Sequence, residues 1–265
     1  MVFPDHSILT ESRVMAGHSQ FKNIMHKKGR ADAKRAKIFT KLGREIQVAA
    51  KLGGGEPDFN PRLRLAVQAA RAADMPNDRI KKAIEAGTGT GSTADYFEMR
   101  YEGYGPGGVA LIVEALTDNK NRTAGDIRAI FTKYGGNLGE TGSVGFMFDH
   151  VGQVVYPVAK ASGDAMFEAA VEAGAENVES DDDFHEVICK TDELAAVRDA
   201  LEKKLGEAEK SGFVWKPNVM APIDADTGAA LFKLIEMLED NDDVQVVTTN
   251  FEISDEDMQK LAAAG

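Results

Sequence analysis

The sequence predicts an α+β multidomain chain: an N-terminal helical bundle, then an α+β domain interrupted by a second α+β unit. Three observations carry this. Apolar residues keep a helical period through about residue 86, then change to the alternation of half-buried strands. Charge changes at the same place: residues 15–93 hold 16 Lys+Arg and 7 Asp+Glu, whereas residues 94–265 hold 14 and 34. Finally, residues near 153–215 carry a complete strand–helix–strand–strand–helix–strand order, so the elements on either side must rejoin across them.

The elements follow in order. Residues 1–14 lack the basic start and apolar core of a signal peptide, and are expected to be a flexible extension ahead of Met15. Asp32 to Leu52 is predicted as a helix. On a wheel, Lys34, Lys37, Lys41, Arg44 and Lys51 fall within roughly 100° of arc, while Ile38, Phe39, Leu42, Ile46, Ala49 and Ala50 fall within about 120° on the far side. Arg35 on the apolar side and Val48 on the basic side break this division. Gly53–Gly55 end the helix. Asn60-Pro61 starts the next, with Asn as cap and Pro at the first helical position. A third, short helix is expected from Asp78 to Ala86, and residues 87–93 read as a linker rich in Gly, Ser and Thr.

Beyond the linker, Phe97, Met99 and Tyr101 alternate with charged residues in a first strand, and Val109–Leu116 forms a nearly continuous apolar second one. Ile127, Ile130, Phe131 and Tyr134 mark a helix, and Val144, Phe146 and Phe148 a third strand. Residues 151–220 then read as an inserted βαββαβ unit, the ferredoxin-like pattern. Residues 221–265 supply one more helix, around Leu231–Leu238, and one more strand, Val244–Ile253; both are assigned to the domain of residues 94–150.

Several chemistries find no support. Gly103–Gly108 lacks the Lys and Ser/Thr of a phosphate-binding loop, and the five histidines and the lone Cys189 have no metal-ligand spacing. No nucleophile has a recognisable setting. Neither an enzyme activity nor a cofactor or metal is expected. Asp181–Asp183 read as an exposed acidic turn. No apolar run approaches the roughly 20 residues of a membrane span, and one free cysteine fits a reducing cytoplasm.

The residue pattern that points to a ligand is cationic. Lys34, Lys37, Lys41 and Arg44 present charges at fixed spacing, and Lys22, Lys27, Lys28 and Arg30 lie just ahead, with Phe21 available to stack on a base. A solvated surface helix is the plainer alternative. In the acidic remainder, Lys120 and Arg122 lie where a strand runs into a helix N-terminus, a place that favours anions; Asn121 or Thr123 is the expected cap.

MAGHSQFKNIMHKKGRADAKRAKIFTKLGREI, NPRLRLAV, YEGYGPGGVALIVEALTDNKNRT and GGNLGETGSV resemble signatures of the YebC family, from Met15 to near the C-terminus. Phe21 stands where the family often has Trp. The resemblance implies three domains and a protein of gene expression. Family members are labelled probable transcriptional regulators and include a mitochondrial translational activator. The expectation is a non-enzymatic, cytoplasmic, nucleic-acid-binding regulator. The alternatives are a ribosome-associated translation factor that binds ribosomal RNA and relieves stalled translation, and an adaptor that captures proteins through its acidic body. A helix-turn-helix around Asp74–Asn77, followed by Arg79, Lys81 and Lys82, would favour DNA, and the basic arm favours RNA.

Overall fold

The structure, a computed structural model, describes residues 31–89 and 95–264. In chain order the elements are α1 (Ala31–Gly53), α2 (Pro61–Ala72), α3 (Asn77–Thr88), β1 (Phe97–Tyr104), β2 (Ala110–Thr117), α4 (Lys120–Lys133), β3 (Asn137–Leu138), β4 (Phe148–Pro157), α5 (Gly163–Ala173), β5 (Asn177–Ser180), β6 (Phe184–Cys189), α6 (Leu194–Leu205), β7 (Lys210–Pro217), β8 (Ala221–Ile223), α7 (Ala225–Glu239), β9 (Val244–Thr249), β10 (Phe251–Ile253) and α8 (Asp255–Ala264). They cluster into two compact units. One is formed by Val151–Val214 with Ser254–Ala263, the other by the described residues up to His150 with Trp215–Ile253.

In the larger unit, α1, α2 and α3 share a core of Ile46, Ala49, Ala50, Leu63, Val67, Ala70, Met75 and Ile80. Asn60 joins two of these helices. Its Oδ1 accepts the Leu63 N–H and caps α2, while its Nδ2 donates to the carbonyls of Ala49 and Gly54 at the end of α1. The chain leaves α1 through Gly54 at φ +88°, the left-handed turn expected there. The third helix runs past its expected end, to Thr88. Gly87 is a packing residue and not a terminator, because a Cβ there would lie 2.4 Å from the Gln47 carbonyl oxygen of α1.

The same unit holds a sheet of order β3-β1-β2-β9. Its strands pair antiparallel throughout, and β2 lies between β1 and β9. Helices α4 and α7 lie on one face of this sheet. Cβ atoms at Gly103 and Gly105 would fall 2.8 Å from Phe131 and 3.0 Å from Leu231. On the other face, Ala110 and Ile112 pack with Val144 and Phe148. Burial on both sides is why β2 reads as a continuous apolar run.

Two strand expectations are corrected. Residues 145–147 form a 3-10 turn, and the strand begins at Phe148 and continues through Gly152. The cause is Glu102, whose buried carboxylate accepts the N–H groups of Val144 and Gly145 at 3.0 and 2.8 Å and curls the chain. The last expected strand divides at Asn250. That buried side chain accepts the Ala110 N–H and donates to the Val219 carbonyl, so β9 extends the large sheet while β10 pairs in parallel with β8.

The smaller unit carries β5-β6-β4-β7, with α5 and α6 supplying Met166, Ala170, Val197 and Leu201 to its core. This is the strand order of a ferredoxin-like fold. Cys189 is fully buried there, and burial pushes its thiol pKa up. A terminal helix, α8, goes beyond the expectation; Ser254 accepts the Asp257 N–H at its start.

Candidate nucleic-acid interface

The cation row of α1 meets a short acidic segment of the same unit, Glu239-Asp240-Asn241-Asp242-Asp243, which ends α7 and leads into β9. The contacts follow the helical spacing. Lys37 bonds the Asp240 carboxylate and the Asp240 carbonyl. One turn on, the Lys41 ammonium is 2.6 Å from the Glu239 carbonyl oxygen. Arg44 then reaches the Asp242 carbonyl and the Asp243 Oδ1, each at 2.7 Å. Its guanidinium also lies 5.6 Å from the Tyr96 ring centroid. The carbonyls at the C-terminus of α7 carry the negative end of the helix dipole, which suits lysine ammonium groups. Val48, which broke the wheel pattern, is buried on this covered side. Arg35, the other exception, pairs with Asp74 and lies over Phe39.

Asp243 is the centre of the arrangement. Its side chain is 6% exposed. Oδ1 takes Arg44; Oδ2 accepts from Arg122 at 2.8 Å, Thr123 Oγ1 at 2.7 Å and Thr117 Oγ1 at 3.2 Å. Burial alone would raise its pKa. Hydrogen bonds from Arg122, Thr123 and Arg44 together outweigh that and hold the carboxyl below the usual range. The position follows from the sheet: Thr117 ends β2, Asp243 precedes the adjacent β9, and Thr123 lies in the first turn of α4. Lys41 shows the opposite balance, since burial lowers its pKa against the pull of Glu239, Asp242 and Asp240.

The structure thus joins one member of each expected cation group, Arg44 and Arg122, through an acidic residue that no motif had marked. The visible signal was the run of four carboxylates in residues 239–243. Arg122 also pairs with Asp118. The cap of α4 is Asn119, which accepts the Arg122 N–H, and not Asn121 or Thr123. Thr117 Oγ1 accepts the Asn119 N–H, which shapes the turn, and Thr123 is buried in the Asp243 network. Lys120 is exposed, with its ammonium 4.1 Å from the Phe97 ring centroid. Lys22, Lys27, Lys28 and Arg30 lie outside the described residues; for Lys34 only its place in the first turn of α1 is described. Asp181–Asp183 form a hydrogen-bonded turn in which Asp181 Oδ1 accepts the N–H groups of Asp183 and Phe184. Among the described residues, no group of three or more His, Cys, Asp or Glu is placed to hold a metal ion. No described helix is long and apolar enough to cross a membrane.

The fold defines a multidomain α+β protein headed by a cationic helical domain. Residues 19–90 match the family model of the TACO1/YebC protein N-terminal domain, and residues 96–251 match that of the TACO1/YebC second and third domain. The chain belongs to the TACO1/YebC family of probable transcriptional regulators. It is also similar to a crystal structure of a conserved hypothetical protein from Aquifex aeolicus, at 44% identity and a TM-score of 0.78, over 86% of this chain and 94% of that one.

Proposed function

We propose that this chain is a non-enzymatic, cytoplasmic regulator of gene expression that binds nucleic acid through the cationic side of α1 and the basic segment ahead of it. The carrying observation is the row Lys37, Lys41 and Arg44, set at one-turn intervals against consecutive carboxylate and carbonyl oxygens. A phosphate backbone offers the same kind of ligand, a run of anionic oxygens at regular spacing. Lys34 and Lys27, Lys28, Arg30 and Lys22 would extend the row, and Lys120 and Arg122 would form a second contact.

Two forms of the reading differ in ligand. A transcription regulator would read duplex DNA, in keeping with the family's designation. A ribosome-associated factor would bind ribosomal RNA. One observation favours RNA: Arg79, at the start of α3 where a groove-reading helix would need it, lies 5.5 Å from the Phe39 ring centroid.

The test is binding of full-length protein to single-stranded RNA and to duplex DNA across a salt series. Replacing Lys27, Lys28, Arg30 and Lys34 with Gln should weaken RNA binding at least tenfold and reduce its salt slope by about three. Unchanged affinity and slope would remove the proposed surface. Absence of binding to either polymer at 50 mM salt would remove the function. The physiological ligand is checked by sedimenting lysate on a sucrose gradient with and without ribonuclease: co-migration with ribosomes that ribonuclease abolishes supports the RNA form.

A further inference from the structure

We propose that Glu239–Asp243 is an internal competitor for nucleic acid, holding the α1 cations in the free protein and giving up the outer ones when a polyanion binds. The inference rests on the nucleic-acid reading above and concerns regulation of that same surface. The observations divide the contact into two parts. At the inner end, Arg44 and Asp243 are 18% and 6% exposed, and Asp243 is further held by Arg122, Thr117 and Thr123. This end is an anchor, because separating it would strand a buried carboxylate. At the outer end, Lys37 and Asp240 are 39% and 55% exposed. Such water-edge pairs are weak and readily exchanged. A polyanion that reaches the part-exposed Lys37 can therefore displace Asp240 and proceed stepwise toward Lys41, while the Arg44–Asp243 anchor keeps α1 in place. In free protein the acidic segment occupies these donors, so weakly charged or short ligands are rejected.

The test compares two charge-matched double variants of the full chain. Asp240→Asn with Asp242→Asn removes the outer competitor. Asp126→Asn with Glu140→Gln removes the same charge from exposed sites elsewhere in the unit. Affinity is measured for a 30-nucleotide poly(U) strand at 150 mM salt, with circular dichroism as a check on folding. The first variant should bind roughly three- to tenfold more tightly than the second. Equal affinities of the two variants, with wild type binding, overturn the competitor while leaving the nucleic-acid reading intact. No binding by wild type or either variant at 50 mM salt overturns the nucleic-acid reading and the competitor with it. A second measurement needs no substitution: saturating wild type with poly(U) should speed amide hydrogen exchange at residues 240–242. Unchanged exchange there also overturns the proposal.

Discussion

Asp243 shows how much one carboxylate can organise when several donors converge on it. Removing it as Asp243→Ala leaves Arg44, Arg122, Thr117 and Thr123 without their shared acceptor. Both arginines retain some access to water. The expected loss is therefore about 2–4 kcal/mol of unfolding free energy, read as a lower urea midpoint at unchanged slope. Asp243→Asn, with one acceptor oxygen left, should lose less. The pH dependence follows from the lowered pKa of the folded state. Its stabilisation is complete above the unfolded value of about 3.9 and is lost as pH falls through the folded value. Wild type should lose stability more steeply than Asp243→Asn on acidification below about pH 4, measured by urea titrations at fixed pH. Glu102 follows the same logic: burial opposes its charge, and the N–H groups of Val144, Gly142 and Gly145 more than offset that. Glu102→Ala should free the turn at 144–145, seen as faster amide exchange there, at a cost of about 1–3 kcal/mol.

At the scale of elements, the periodicity was the most readable layer. The βαββαβ order, the Asn60-Pro61 helix start and the apolar β2 all come from local signals that tertiary structure reinforces. What local patterns did not reveal were effects set by distant residues. The 3-10 turn at 145–147 depends on Glu102, more than 40 positions away, and the division at Asn250 depends on Ala110. Terminal helix α8 was missed, although its Ser254-x-x-Asp257 start is a capping pattern. Glycines in helices tell the same story. Gly87 has Gln47 backbone and the Ala50 Cβ in the space a side chain would take, whereas nothing lies within 4 Å of a Cβ at Gly125 in α4. Gly87→Ala should therefore destabilise by about 1–3 kcal/mol through overpacking. Gly125→Ala should stabilise by about 0.5–1 kcal/mol, because it only removes backbone entropy from the unfolded chain. Thermal unfolding of the two variants against wild type separates them; a Gly87→Ala midpoint at or above that of wild type would contradict the packing assigned to Gly87, and a lowered Gly125→Ala midpoint the open space at Gly125.

Over the whole molecule, the cations of the proposed interface were legible as a row, but their partner was not. A helical wheel gives directions around one helix; it says nothing of which acidic run, about 200 residues later, will lie opposite. The same contrast of local and global charge governs how a polyanion would arrive. The chain carries a net charge of −12, while residues 15–93 alone carry a large positive excess. At 10 mM salt the Debye length is about 30 Å, so an approaching strand senses the repulsion of the acidic body. At 150 mM it is about 8 Å, and the strand senses chiefly the basic region it meets. The association rate with poly(U), measured by stopped flow, should therefore pass through a maximum at intermediate salt, while the dissociation rate rises throughout as short-range contacts are screened. An association rate that keeps climbing down to 10 mM salt would mean that the acidic body does not face the incoming strand. A rate independent of salt would mean that the cations of α1 and the segment before it take no part in the encounter.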